Sequence, residues 1–196
     1  MTNVTGHIDT FARDNLPPSE TWPEFLLDGF DYPLELNVGT ELTDAMVAKG
    51  FGDHTALIGN GRRRTYKELA DWTNRLAHVL VDDIGVQPGN RVLIRSANNP
   101  AMVACWLAAT KVGAVVVNSM PMLRSGELKK YVDKAQITYA LCDTRLMEEM
   151  EICAEGNDVL TRVMGFDGTS NHDAELDRLA LEKPVQFDAV KTMQDD

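Results

Sequence analysis

The residues best placed to bind a ligand lie in the loop NSMPMLRSG, residues 118–126. This loop follows the apolar run AVVV, residues 114–117, which has the composition of a buried strand. In open parallel sheets, ligands bind beyond the carboxyl ends of the strands. We therefore predict that Met120, Met122 and Arg124 line a substrate pocket. The alternative for the two methionines is a place in the cover of the core.

A phosphate-binding loop would be the simplest sign of nucleotide chemistry, but neither GxGxxG nor GxxxxGK[ST] occurs. The stretch DGTSNH, residues 167–172, has glycine, threonine and serine after a β-rich run. It lacks a second glycine and a lysine that would reach a phosphate. We interpret it as a surface turn.

The histidines and serines show no catalytic spacing. No two of the four histidines are three or four residues apart, and no serine lies in a GxSxG pattern. Adjacent carboxylates such as Asp82-Asp83 are expected on solvated helix faces. The residues taken alone therefore contain no catalytic set.

Two helices that must position the loop have clear beginnings. Thr65 followed by Glu68 is a capping-box pattern, and an apolar stripe follows it at three- and four-residue steps. Asn99 can cap a second helix whose first position is Pro100, where the missing N–H costs nothing. That helix is apolar on every side, so we expect it to be covered on more than one face.

The second helix has an equally clear end. Lys111 suits the negative end of the helix dipole, and Gly113 can take the left-handed conformation that stops a helix. The run AVVV then predicts a strand buried on both faces. Earlier in the chain, Asn60-Gly61 is a strong signal for a two-residue hairpin turn.

The alternation of strands and helices predicts an α/β fold with a mainly parallel sheet flanked by helices, one β-hairpin and an extended N-terminal arm. We divide the chain into an arm (1–38), which carries aromatic residues that should pack onto a body, an α/β subdomain (39–183) and an exit segment (184–196). Leu42 and Met46 are predicted to face inward from the first helix, and Leu128, Tyr131 and Val132 from a later one. The predicted helices are 40–49, 65–83, 99–111, 125–135, 144–155 and 173–182, and the predicted strands are 55–59, 62–65, 91–96, 114–117, 138–142 and 160–166.

Composition narrows the class of protein. The 196 residues are 44% hydrophobic and 25% charged, which is usual for a globular protein. The net charge of -11 is an excess of acidic residues, and no basic face is visible beyond Arg62 to Arg64, so the composition does not favour nucleic-acid binding. The apolar stretch 100–117 is interrupted at Thr110, Lys111 and Gly113, so we expect no membrane span.

The widely spaced Cys105, Cys142 and Cys153 are expected to be reduced core residues of a cytoplasmic protein, since there is no CxxC pair and no secretory signal.

Four stretches in this order resemble the adenylate-forming superfamily of acyl- and aryl-CoA synthetases. They are RTYKEL, with the aromatic-x-Glu-Leu motif, QPGNRVLI, NNPAMVACWLAATKVGAVVVN, with the Lys-x-Gly-Ala motif, and LRSGELKKYVDKAQITYALCD; together they cover about residues 40–143. Within the superfamily, DTFARDNLPPSETWPEFL and residues 74–108 resemble benzoate- and 2-aminobenzoate-CoA ligases.

The resemblance implies that an aromatic carboxylic acid reacts with ATP to an acyl-adenylate, which coenzyme A converts to the thioester. It implies ATP, Mg and coenzyme A as cofactors of a full-length enzyme, and none bound by this chain. Family members run to several hundred residues, and the phosphate loop of the family would follow Asp196. We therefore expect an N-terminal fragment that is inactive alone, carries no catalytic residue, and borders the acyl or coenzyme A channel at Met120 to Arg124.

Two alternatives remain open at this point. The chain could be a stand-alone binding or interaction module on a ligase-like scaffold, or a flavodoxin-like nucleotide binder, although the latter lacks a phosphate loop after its first strand. The fragment hypothesis also predicts self-association through an exposed sheet edge or pocket wall.

Overall fold

The computed structural model describes residues 4–24, 26, 29–169 and 173–196. Within these residues, six strands form two sheets. The strands are β1 (Thr55–Gly59), β2 (Arg62–Thr65), β3 (Arg91–Arg95), β4 (Val115–Ser119), β5 (Tyr139–Asp143) and β6 (Arg162–Phe166). The α-helices are α1 (Phe11–Asp14), α2 (Val38–Glu41), α3 (Asp44–Met46), α4 (Tyr66–His78), α5 (Pro100–Lys111), α6 (Ser125–Ala135), α7 (Met147–Ala154) and α8 (Glu175–Leu181). Shorter helical segments are the 3₁₀ turns Ser19–Thr21 and Thr144–Leu146 and the π-helical turns Val47–Phe51 and Val79–Ile84.

The main sheet has four parallel strands in the order β4-β3-β5-β6. Arg91 to Arg95 of β3 pair with Val115 to Ser119 of β4 on one side, and β3 pairs with β5 on the other. All four carboxyl ends therefore meet at one edge of the sheet. This is the mixed α/β architecture with a parallel sheet that the sequence pattern predicts.

Helices cover both faces of this sheet, and the strand residues alternate between the two layers. Val92 and Ile94 of β3 pack in the core that contains α4, α5 and α8, whereas Leu93 packs in the core with α6 and α7. This alternation follows from the period of two in a β-strand. Because both layers are apolar, β3 is buried along its whole length.

The predicted helix starts are confirmed. The Thr65 hydroxyl accepts from the Glu68 backbone N–H at 3.2 Å, and the Glu68 carboxylate accepts from the Thr65 N–H at 2.8 Å. Asn99 caps α5 through the Met102 N–H at 2.9 Å, with Pro100 at the first helical position. The hairpin turn is confirmed as well, with positive φ at both Asn60 and Gly61.

The prediction of a strand buried on both faces is wrong for β4. This strand is at the edge of the sheet, Val115 to Val117 are only half-buried, and Asn118 is exposed. The sequence could not distinguish an edge strand from a central one, because both are apolar when helices cover the sheet.

The first predicted helix, 40–49, is interrupted. Thr43 takes a non-helical conformation and is buried, and its hydroxyl donates to the Gly39 carbonyl. Leu42 is consequently exposed at 49%, so the prediction that it faces inward is wrong. Tyr131 of α6 is likewise exposed at 45%, whereas Leu128 and Val132 of the same helix are fully buried, so the prediction that Tyr131 faces inward is wrong.

The first part of the N-terminal arm contacts the α/β body. The N–H groups of Ile8 and Asp9 donate to the Pro88 carbonyl, and the guanidinium of Arg91 lies over the Phe11 ring. By contrast, Phe30 and Tyr32 are exposed, so the expectation that the aromatic residues of the arm pack onto the body is wrong for these two. Phe25 lies outside the described residues.

Candidate functional site

The candidate site is the carboxyl edge of the parallel sheet, where four loops converge. The loops are 96–99 after β3, 120–124 after β4, 144–146 after β5 and 167–169 after β6. The strands β3 and β5 are neighbours in the sheet, and the helices that follow them, α5 and α7, lie on opposite faces of it. Such a switch point opens a crevice between the loops, which is where open α/β sheets bind ligands.

Arg95 shapes the loop after β4. Its side chain is buried, and its guanidinium donates to the carbonyls of Met120 at 3.1 Å, Pro121 at 3.0 Å and Leu123 at 2.7 Å. A buried guanidinium needs most of its five donors satisfied, and here backbone carbonyls satisfy them. Sequence reasoning missed this role; the available signal was a charged residue at the end of an otherwise apolar strand.

Asp143 anchors the centre of the edge. It is fully buried, and its carboxylate accepts from the Arg145 guanidinium at 2.6 and 3.0 Å and from the Arg145 backbone N–H at 3.1 Å. Ser96 and Asn99 are next to it, with Ser96 Oγ 3.4 Å from Asp143 Oδ2. Sequence reasoning did not single out this network, because its members come from separate loops.

The three predicted site residues are not all brought together. Met122 and Arg124 line a surface depression of about 370 Å³ together with Arg95, Arg145 and Glu149. Met120 does not line it. Met122 is 81% exposed and Met120 58% exposed, so the alternative that the methionines cover the core is wrong.

Arg124 is paired with an acidic residue of α7. Its Nη1 is 2.6 Å from Glu149 Oε1, and the other Glu149 oxygen accepts the Ser125 N–H at 2.7 Å. The hydrogen bond from the Ser125 backbone and then the Arg124 guanidinium lower the pKa of the Glu149 carboxyl. Glu149 therefore stays ionised and holds Arg124 at the rim of the depression.

The described part of the stretch after β6, residues 167–169, forms a turn, but Asp167 and Gly168 are buried, so the prediction of a surface turn is wrong for these two residues. The Asp167 carboxylate accepts from the Thr169 N–H at 2.7 Å and hydroxyl at 2.6 Å, and Asn60 of the hairpin donates to the Gly168 carbonyl at 2.9 Å. Ser170 and His172, which belong to the same stretch, lie outside the described residues.

The three cysteines are free and buried. Burial raises the pKa of the Cys142 thiol to about 12 and also raises the pKa of Cys105 and Cys153. These thiols are protonated at neutral pH, so they lack the thiolate that nucleophilic catalysis or metal binding needs.

The residues at this edge do not fit a bound triphosphate. Arg95 is committed to backbone carbonyls, Arg145 to Asp143 and Arg124 to Glu149. Among the described residues, no three His, Cys, Asp or Glu side chains are grouped to hold a metal ion. The guanidinium groups of these three arginines already have oxygen partners, so the described residues of this edge offer a substrate a wall that is partly apolar and partly polar.

No helix in the described part of the chain combines the length and apolar character needed to cross a membrane.

The described residues form an α/β unit with a wound parallel sheet whose carboxyl edge carries four loops and a surface depression. Residues 45–195 match the family of AMP-binding enzymes, and the chain belongs to that family.

Three proteins illustrate what the chain is similar to. A 3-hydroxybenzoate–CoA ligase of Aromatoleum sp. (strain CIB) is 37% identical over 82 residues, which are 42% of this chain and 16% of the relative. A medium/long-chain-fatty-acid–CoA/3-oxocholest-4-en-26-oate–CoA ligase of Mycolicibacterium smegmatis is 29% identical over 120 residues, 61% of this chain and 22% of the relative.

The crystal structure of the anthranilate CoA ligase AuaEII with anthranoyl-AMP superposes with a TM-score of 0.74 at 17% identity, covering 85% of this chain and 31% of that one. At this identity the likeness shows the fold. The chain thus spans less than a third of the proteins it matches.

Proposed function

We propose that this chain supplies the N-terminal α/β part of a cytoplasmic, ATP-dependent aromatic-acid CoA ligase. The observation that carries the proposal is the match to the AMP-binding family over residues 45–195, joined to 37% identity with a 3-hydroxybenzoate–CoA ligase. The 37% identity with the 3-hydroxybenzoate–CoA ligase supports a benzoate type of substrate, and the sequence resemblance of residues 9–26 to 2-aminobenzoate enzymes adds 2-aminobenzoate as a candidate.

In the complete reaction, an aromatic carboxylic acid and ATP give an acyl-adenylate and pyrophosphate, and coenzyme A then displaces AMP. The proposed contribution of this chain is a wall of the acyl or coenzyme A channel. Met122 presents an exposed apolar side chain there, and Arg124 presents a cation fixed by Glu149. Met120 contributes through its carbonyl, which Arg95 holds, and through its own exposed side chain.

The 196-residue chain is proposed to be inactive by itself. The guanidinium groups at the carboxyl edge are already paired, and the chain covers 16% of the hydroxybenzoate ligase. ATP, Mg and coenzyme A would be bound mainly by groups that this chain does not supply.

Exchange of labelled pyrophosphate into ATP tests both parts of the proposal. The chain as given is assayed with benzoate, 2-aminobenzoate and 3-hydroxybenzoate, and so is any longer product of the same gene. We expect no exchange by the chain and exchange stimulated by an aromatic acid in the longer product.

Exchange by the 196-residue chain would overturn the fragment proposal. Exchange stimulated only by a medium- or long-chain fatty acid would overturn the substrate class. A gene with a stop codon directly after residue 196 would favour a stand-alone binding module instead.

A further inference from the structure

The exit segment, residues 184–196, is held in two parts. Its end pairs with residues 34–36: Glu35 and Met193 form an isolated bridge, the Leu36 N–H donates to the Thr192 carbonyl at 2.9 Å, and the Gln194 N–H donates to the Leu34 carbonyl at 3.0 Å. Its earlier part, from Val185, is held mainly by side chains. Asn74 of α4 donates to the Val185 carbonyl at 2.9 Å, and Asn37 donates to the Val190 carbonyl at 2.9 Å. The Phe187 ring packs edge-on against the His78 ring at 5.0 Å.

A buried lysine lies behind these contacts. Lys111, at the end of α5, is fully buried, and its ammonium donates to Asn74 Oδ1 at 2.6 Å, Thr43 Oγ1 at 2.9 Å and the Asp44 carboxylate. An ammonium group has three donors, and all three are used. Burial lowers the pKa of Lys111, and the carboxylate of Asp44 opposes this effect.

This arrangement fixes the orientation of the Asn74 amide. Because an ammonium can only donate, the oxygen of Asn74 must face Lys111. Both amide N–H groups then point away, one to Asp44 Oδ1 at 3.0 Å and the other to the Val185 carbonyl. Asn74 is buried, so it has no solvent to replace any of these partners.

We infer that Lys111 is a positioning residue for the exit segment. Its Nζ donates to Asn74 Oδ1, and Asn74 Nδ2 in turn donates to the Val185 carbonyl. Without the ammonium, the Asn74 oxygen is buried without a donor and Asp44, which is 39% exposed, turns toward solvent. The Val185 carbonyl then loses an oriented donor.

The position of the exit segment matters for a second surface. Its end, Thr192 to Gln194, forms one side of a groove of about 270 Å³ whose other side is Trp106 and the edge strand β4. This end keeps its own hydrogen bonds to Leu34 and Leu36, so the effect of Lys111 is expected at the beginning of the exit segment, around Val185 and Phe187.

Native-state proteolysis of Lys111→Met tests the inference. Chymotrypsin cleavage after Phe187 reports opening of the exit segment, and cleavage after Phe166, which is fully buried in β6, reports global unfolding. We expect the rate of cleavage after Phe187 to rise about fivefold or more relative to the rate after Phe166. A change of this size corresponds to the loss of one hydrogen bond to a charged network.

Lys130→Met is the matched control, because Lys130 is an exposed lysine of α6, which packs on the opposite face of the sheet from α5. If Lys111→Met does not fold, Asn74→Ala asks the same question by removing the link itself. Equal acceleration after Phe187 and Phe166, no acceleration after Phe187, or the same effect in Lys130→Met would overturn the inference.

Discussion

At the scale of single residues, charged groups taken out of water are the most informative feature of this chain. Lys111 and Arg95 are fully or almost fully buried, and each has donors matched to oxygen atoms. Burying either charge without partners would be strongly unfavourable, more than its hydrogen bonds stabilise the fold, so the fold must place these partners beside it. Each residue thereby connects elements that are distant in sequence.

Asp44 gives a prediction about acid stability. Burial alone would raise its pKa, but hydrogen bonds from Lys111 and Asn74 and the charge of Lys111 outweigh burial and lower it below the ordinary 3.8. A carboxyl with a lowered folded pKa stabilises the fold above its unfolded pKa. The stabilisation by Asp44 is therefore lost as the pH falls from 3.8, the ordinary pKa, through the lower pKa of Asp44 in the folded state.

We therefore expect Asp44→Asn to reduce the free energy of unfolding by about 1 to 2 kcal/mol at pH 7. This is less than for a fully buried pair, because Asp44 is partly exposed and solvent screens it. The difference from the wild type should shrink below pH 3.8. Urea unfolding at a series of pH values measures this, with Asp71→Asn at the surface pair with Lys67 as control. A difference that does not change with pH would contradict the assignment.

At the scale of elements, loops from separate strands interlock at the carboxyl edge of the sheet. Gly168, after β6, approaches the Asp143 carboxylate so closely that a Cβ at this position would lie 2.0 Å from Asp143 Oδ2 and 2.8 Å from Asn99 Nδ2. The glycine is required by contact rather than by backbone conformation.

Gly168→Ala is expected to destabilise the protein by about 2 kcal/mol or more, because the buried Asp143 network cannot move aside. Gly126→Ala in α6 is the matched control. A Cβ there meets no atom within 4 Å, so that variant should gain about 0.5 kcal/mol from helix propensity. Thermal unfolding of both variants measures this, and equal stability would contradict the interlock.

At the scale of the whole molecule, the outer edge of β4, to which no strand of the described residues is paired, is the feature most relevant to association. The Val115 N–H donates toward β3, so the N–H groups of Val116 and Asn118 point away from the sheet. An unpaired strand edge next to an apolar groove is a surface on which a second strand can add. The net charge of -11 opposes close approach of two copies.

Self-association through this edge remains a prediction. Sedimentation velocity over a concentration series should show dimers of the chain that disappear in Asn118→Lys, because a lysine on an edge strand blocks pairing. Ile152→Lys, which places the same charge on the exposed face of α7, should leave the dimers intact. A wild-type chain that stays monomeric at high concentration would refute the prediction.

The sequence by itself determined the features that depend on neighbouring residues. Helix starts at Thr65 and Asn99, the Asn60-Gly61 turn, and the helix end at Gly113 are set by hydrogen bonds and φ angles within a few residues. The alternation of strands and helices then limited the fold to a parallel α/β sheet.

Only the tertiary structure decided which strand is at the edge, that Lys111 is buried, and how far the loop after β4 is exposed. These properties depend on partners distant in the chain: Lys111 meets Asp44 across 67 residues, and Arg95 meets Leu123 across 28. A local pattern can show that a lysine suits a helix end, but it contains no information about which carboxylate the fold brings to it. For that reason the elements could be predicted, whereas the assembly of the site could not.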